Sequence, residues 1–255
     1  MVDIQKTPIG GQQSGAGSFG DKRARLSAKP GVRDKIYGSL SDNENILRPL
    51  YQTGGLLWPY TPIINDVTSV QYDSYDPVHS NQPFMAFKSV APKEIMCSGQ
   101  FTAMNQDEAL YCLAAIHFLR TITKMFFGIG GLDQESKNLR GTPPPVLLFN
   151  AHGTAMFHNV PVIVTSYSIE LPQDVDYVEV NGSSAINSSI VNTDVATEVD
   201  SFNGTVSSQP YDAWIPTKFN ITVNMTVQNS PNRWRRNFNL NDFRTGKLIK
   251  KGGWI

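Results

Sequence analysis

Charge is scarce in this chain. Asp, Glu, Lys and Arg make up 17% of its 255 residues, against roughly a quarter in ordinary soluble proteins. Asn, Ser, Thr, Gln and Gly fill the difference, a composition common in β-rich assemblies. An excess of one sign is missing too, because 22 basic residues balance 22 acidic ones. Proteins that hold nucleic acid by neutralising phosphates carry a basic surplus, and none exists here. Weak self-repulsion instead tolerates dense assembly. There are only two cysteines, Cys97 and Cys112. They form no Cys-x-x-Cys pair and have no metal-ligand spacing; both lie in apolar surroundings and read as buried thiols. No apolar run approaches the ~20 residues needed to span a bilayer, and Met1–Gly11 lacks the apolar stretch of a signal peptide. The expectation is a chain made and kept in a cytoplasm, with no membrane partner.

Catalytic constellations are missing as well. No Gly-x-Ser-x-Gly elbow exposes a serine. Gly128, Gly130 and Gly131 follow an apolar helical stretch, the wrong order for cradling a phosphate at a helix N-terminus. His152 and His158 lack Asp, Glu or Cys at a ligand-like offset. His117, inside the apolar stretch, reads as a hydrogen-bonded core histidine, and His79 as a surface turn residue. Asp66, Asp73 and Asp76 read as a solvated strand face rather than as a pair of catalytic carboxylates. We therefore expect no catalytic residue, cofactor or metal, and a chain that is not an enzyme.

What is present is mostly strand. Residues 1–50 combine Gly, Gln and Ser with mixed charge and read as an extended or flexible N-terminal arm. A β domain over 51–255 comes after it. Ile64, Val70 and Tyr72 alternate with Asn65, Ser69, Gln71 and Asp73. Asp76-Pro77 and Asn81-Gln82-Pro83 supply turn chemistry, and 84–90 and 94–102 read as strand again. Residues 60–102 thus form one long hairpin. The face of 84–90 is ambiguous, since Met85 and Phe87 compete with Phe84 and Val90.

A helix comes next. Asn105 is its N-cap, Glu108 completes a capping box, and Gly128 is the expected C′ residue. It is apolar almost all round through Leu110, Leu113, Ile116, Leu119, Met125 and Phe126, so it must be covered on two sides. Strands are read at 146–151, at 155–160 with a turn near His158-Asn159, at 162–171 and at 175–180. Residues 181–212 are a loop insert. The cleanest alternation is 219–227, where Phe219, Ile221, Val223, Met225 and Val227 interleave with Asn and Thr. A basic tail over 231–255 ends Gly-Gly-Trp-Ile.

Taken in order, several segments resemble the tube-like baseplate proteins of contractile-tailed bacteriophages, which connect the central hub to the inner tail tube and start that tube. They are Trp58-Pro59-Tyr60-Thr61-Pro62, Tyr72-Asp73-Ser74-Tyr75-Asp76-Pro77, Phe101-Thr102-Ala103 and the helix from Ile116 to Gly128. Gly141-Thr142-Pro143-Pro144-Pro145-Val146-Leu147, Phe157-His158-Asn159-Val160-Pro161-Val162, Leu171–Val178 and the terminal Gly252-Gly253-Trp254-Ile255 complete the set. The resemblance leaves out the arm and the insert.

It implies a small tail-tube-like β-barrel or sandwich with one flanking helix, and a homohexameric ring in the virion's tail baseplate. The long hairpins would close into a pore-lining barrel, which removes exposed strand edges. The expected neighbours are a hub or adaptor ring and the tail-tube protein, and phage DNA would pass through unbound. In that register Asn65, Ser69, Gln71 and Asp73 face the lumen, while Ile64, Val70 and Tyr72 pack toward the helix. The alternatives are an ordinary tail-tube subunit, a β-sandwich carbohydrate-binding module and, against the missing constellation, a cell-wall hydrolase.

Overall fold

The computed structural model describes residues 23–38, 45–126, 141–180 and 213–255. The chain is mainly β, built on one large antiparallel sheet with several small helices. Its elements are β1 (Arg25–Ser27), α1 (Arg33–Tyr37), α2 (Arg48–Thr53), β2 (Leu56–Leu57), β3 (Ile63–Val67), β4 (Val70–Tyr75), β5 (Phe84–Val90), β6 (Glu94–Thr102) and α3 (Gln106–Ile122). They continue as β7 (Leu147–Ala151), β8 (Phe157–Glu170), β9 (Tyr177–Val180), β10 (Ala213–Pro216), β11 (Lys218–Val227), α4 (Pro231–Asn237), α5 (Leu240–Arg244) and α6 (Lys247–Lys250).

Seven strands pair in the order β2-β1-β7-β8-β11-β6-β3. The expected barrel is not found: the sheet stays open, and β2 and β3 are its outer strands. At its centre β11 pairs with β6 on one side and β8 on the other. Its alternation has a direct consequence. Phe219, Ile221, Val223 and Met225 are buried, while Asn220 and Asn224 are exposed. Buried side chains of this size stabilise the fold by about 1.5–3 kcal/mol each. Phe101 of β6 stacks on Phe219 with ring centroids 5.6 Å apart, and Trp58 leans on Phe101 at 6.3 Å.

The helix α3 packs against β6, β8, β9, β10 and α2. Its start is the expected one. Asn105 accepts from the Glu108 N–H at 2.9 Å, while the Glu108 carboxylate reaches back to the Met104 N–H at 3.0 Å. Its end is earlier than expected. The helix stops at Ile122, where Thr121 and Thr123 turn their hydroxyls onto the carbonyls of His117 and Leu119. β-Branched residues whose hydroxyls bond back to the backbone weaken a helix terminus. Ile116 and Leu119 are buried, and Leu110 and Leu113 are half-buried against the core. Met125 and Phe126 lie beyond the helix, exposed, with Phe126 bonded through its backbone to Thr142 and Gly141. His117 is also exposed rather than in the core, because Tyr111, Ala114, Ala115, Phe118 and Ile122 fill the buried face. Gly128 and the 181–212 insert lie outside the described residues.

The division into an arm over 1–50 and a separate domain does not hold for residues 23–38 and 45–50. β1 joins the sheet between β2 and β7. Ala24, Leu26, Tyr37 and Leu50 are fully buried, and the Tyr37 hydroxyl accepts from the Ala28 N–H at 2.9 Å. Here single apolar residues sit between cations, too sparse to stand out as a period yet enough to enter the core. Another difference concerns β8, which is continuous from Phe157. The turn falls at 152–156 instead, and Asn159 takes φ +50° inside the strand, its N–H donating to Asn150 Oδ1 at 2.7 Å.

Candidate assembly surface

β3 pairs with β6 from Ile63↔Ser98 to Val67↔Glu94, and β4 pairs with β5 from Val70↔Val90 to Tyr75↔Phe84. Ala91 N–H donates to Ser69 O at 2.9 Å between the two ladders. Residues 63–102 are therefore one hairpin whose base belongs to the large sheet and whose outer half is a two-stranded ribbon. At the junction Lys93 Nζ meets Asp66 Oδ2 at 2.8 Å, and Lys93 O accepts from Val227 N–H at 2.9 Å.

A bulge organises the ribbon. Gln71 is opposite Ser89, but Tyr72 is opposite Phe87, so Lys88 is the extra residue. Cross-strand partners share a face and neighbours along a strand alternate; a bulge re-aims the side chains beyond it. One face consequently carries Val70, Tyr72, Met85, Phe87 and Val90, with the Tyr72 and Phe87 rings 6.0 Å apart and nearly perpendicular. The other carries Gln71, Asp73, Lys88 and Ser89 near the sheet and Ala86, Phe84 and Tyr75 toward the tip, where Phe84 and Tyr75 are exposed. There Ser89 Oγ donates to Gln71 Oε1 at 3.2 Å and Lys88 Nζ pairs with Asp73 Oδ1 at 3.2 Å. The ambiguity in 84–90 is resolved by an extra residue that no local pattern announces.

The apolar face is open. Phe87 is 62% exposed, Met85 63% and Tyr72 52%, with Val70 and Val90 close to half. Ribbons of two strands have no core of their own, and a contiguous apolar patch rimmed by polar groups marks a contact surface. Gln71 and Asp73 share a face opposite Val70 and Tyr72, as the alternation predicts. Val70 and Tyr72 are not packed in the single chain, and only Ile64 is half-buried against the core. Asn65 lies on the face of β3 shared with Ile63 and Val67, both exposed, and Ser69 sits between β3 and β4.

The sequence-based reading did not anticipate the C-terminal subdomain, although Ser230-Pro231 and Asn239 are helix-start signals. Ser230 caps α4 and Asn239 caps α5 through their side chains. Trp234, Phe238 and Trp254 make a ring cluster with centroids 4.8–5.5 Å apart. Arg233 stacks over Trp254 at 5.1 Å and donates to Gly252 O at 2.7 Å. Gly253, at φ +82°, donates to His158 O at 2.6 Å, and a side chain there would overlap the Arg233 guanidinium.

Of the other singled-out residues, His152 occupies the β7–β8 turn and His158 meets Asn159 Nδ2 at 3.1 Å. Among the described residues no three His, Cys, Asp or Glu side chains converge as a metal site, and no helix is long and apolar enough to cross a membrane. No family model matches the chain, and no curated protein matches it.

Proposed function

We propose that this chain is a structural subunit whose hairpin ribbons associate, copy to copy, into a closed ring, as in the tube-like baseplate proteins it resembles. In that reading it is a hexameric connector between a baseplate hub and an inner tail tube. It would nucleate the tube and leave a pore for DNA. The observation that carries the reading is the inner half of the ribbon, where an open apolar face of Val70, Tyr72, Met85, Phe87 and Val90 backs a polar stretch of Gln71, Asp73, Lys88 and Ser89, the latter face turning aromatic at Tyr75 and Phe84 near the tip. Closure of a ring covers the apolar face and satisfies the free ribbon edges together. Gln71 and Asp73, with Tyr75 and Phe84 farther along the same face, are then the lumen groups, with no cationic surplus to retain DNA, because Lys88 is already paired with Asp73.

The test is the size of the purified chain by mass photometry and negative-stain imaging. Rings of six are expected, and the double variant Tyr72→Ser/Phe87→Ser should lose the rings with an unchanged melting temperature, since neither side chain contributes to the single-chain core. A compact monomer at high concentration, or binding to lipid vesicles through the ribbon, would overturn the proposal. Long open tubes that persist at about 1 M salt, in place of finite rings, would assign the chain to the tube itself.

A further inference from the structure

The zero net charge hides a separation of charge along the strands. β11 runs ten residues, Lys218–Val227, a span of about 30 Å. Beyond Val227 lies the C-terminal subdomain, where residues 231–255 hold seven basic residues against the single Asp242. Arg235, Arg236, Arg244, Lys247, Lys250 and Lys251 are all exposed, and none makes an ion pair among the described residues. The hairpin leaves the sheet from the same end; its two lysines are taken up by Asp66 and Asp73, and its other charges there are the carboxylates of Asp76 and Glu94, so the basic surface is that of the C-terminal subdomain alone.

At the opposite end, where Lys218 faces Thr102 and Asn220 faces Glu170, the sign reverses. Glu170 at the end of β8, Asp174 and Asp176 on the β8–β9 connection and Glu179 in β9 are exposed, and no Lys or Arg occurs between residues 161 and 180. Asp174 and Asp176 line an open depression with Thr102, Met104 and Lys218. Asp107, in the first turn of α3, extends directly from that edge.

We propose that copies of this chain dock head to tail, the basic C-terminal subdomain of one copy against the acidic end of the next. The two surfaces differ, so the contact is heterologous, repeating from copy to copy. Opposed fields of this kind steer encounter and fix orientation more than they add affinity. The exposed apolar side chains Trp234 and Leu240 sit among the cations, and Met104 and Leu171 among the acids, giving each end apolar contact area beside its charge. A second copy is the occupant because one molecule carries both surfaces, six exposed cations at one end and five exposed carboxylates around Lys218 at the other. The contact uses the ends of the strands rather than the ribbon, so a chain with its ribbon disabled tests it apart from the ring reading; in the parent chain it would stack rings, and such stacks come apart in high salt.

The experiment is sedimentation velocity on the full chain carrying Tyr72→Ser and Phe87→Ser, which removes ribbon association from the readout. Between about 0.1 M and about 1 M salt the screening length falls from about 10 to about 3 Å. Association should weaken about tenfold or more over that range. Neutralising the basic end (Arg235→Gln, Arg236→Gln, Lys250→Gln, Lys251→Gln) or the acidic end (Glu170→Gln, Asp174→Asn, Asp176→Asn) should leave monomers. Mixing the two variants should restore one-to-one pairs, because each retains the end the other lacks; this arm also excludes misfolding as the cause. Self-association that survives either neutralisation, or that strengthens with salt, would overturn the proposal. So would a basic-end variant that loses binding to duplex DNA while associating normally, which would make that end a nucleic-acid surface.

Discussion

The hydroxyl of Tyr111 closes both backbone groups of Leu57, accepting from its N–H at 2.8 Å and donating to its carbonyl at 3.0 Å. Tyr111 is 1% exposed and Leu57 5%, so neither backbone group has water as a substitute. One side chain of α3 thereby completes the free side of the two-residue strand β2, where the seven-stranded sheet ends. Tyr111→Phe keeps the ring and removes only the bridge. Leaving buried backbone groups unpaired costs about 1–3 kcal/mol, so the variant should melt several degrees lower by calorimetry while retaining its circular dichroism spectrum.

A second expectation concerns Gly99. A Cβ at this position of β6 would overlap the Trp58 indole and press on Pro62, and Trp58 is fully buried. Gly99→Ala should destabilise by about 1–3 kcal/mol through overpacking, measured by urea unfolding. A variant as stable as the parent would show that Trp58 has room to shift.

Alkaline pH should unfold the protein for an identifiable reason. Burial pushes the Tyr37 hydroxyl up from 10.0 to about 12, with the Ala28 N–H pulling partly the other way. Burial shifts Tyr111 in the same direction. Between these values the folded chain keeps a proton that the unfolded chain has released, so stability is complete below pH 10 and drains away as pH rises through about 12. Tyr37 alone accounts for at most about 2–3 kcal/mol of that loss. Unfolding free energies measured at steps across this interval should fall steadily in the parent and less steeply in Tyr37→Phe.

Thiol chemistry offers a further check. Cys97 and Cys112 are both buried and form no disulfide, and burial raises the Cys97 thiol well above its ordinary value. Since the thiolate is the reactive form, a soluble disulfide reagent should label neither residue in the native chain within minutes and both at once in denaturant. Rapid native labelling would mean that β6 or α3 opens locally.

The helix cap is open to the same kind of trial. Asn105→Ala removes the oxygen that accepts from the Glu108 N–H and should cost about 1 kcal/mol, whereas Asn105→Asp should be near neutral. Equal losses from the two would show that the cap contributes little.

Much of this was legible because local chemistry and global fold agree. The alternation of β11 and the Asn105–Glu108 pair each specify an element without outside help, and the hairpin's turn residues fall where its two arms must meet. Legibility failed where an element takes its meaning from distant partners. Leu26 and Tyr37 look like stray apolar residues in a charged arm until β7 and the Ala28 N–H are placed beside them. The C-terminal helices α4–α6 are so short that their stability comes from Trp234, Phe238 and Trp254 meeting one another, a contact that spans twenty residues. At the candidate surface the alternation of β4 was readable, but the face of β5 was not, since it depends on one unpaired residue whose partners lie on the other arm of the hairpin.

That unpaired residue makes the ribbon a device with a phase. Up to Phe87 the apolar side of β5 is reached by odd positions, and at Val90 by an even one. Lys88 absorbs the change of parity. Its removal would leave Phe87 and Ser89 as immediate neighbours that already alternate, so both faces would survive and only the local twist of the bulge and the link to Asp73 would go. Loss of Ala86 with the bulge in place would instead turn Met85 toward the side of Gln71 and Asp73. Strand β5 therefore tolerates the loss of a residue at Lys88, whereas a deletion at Ala86 exchanges the faces of the residues before it.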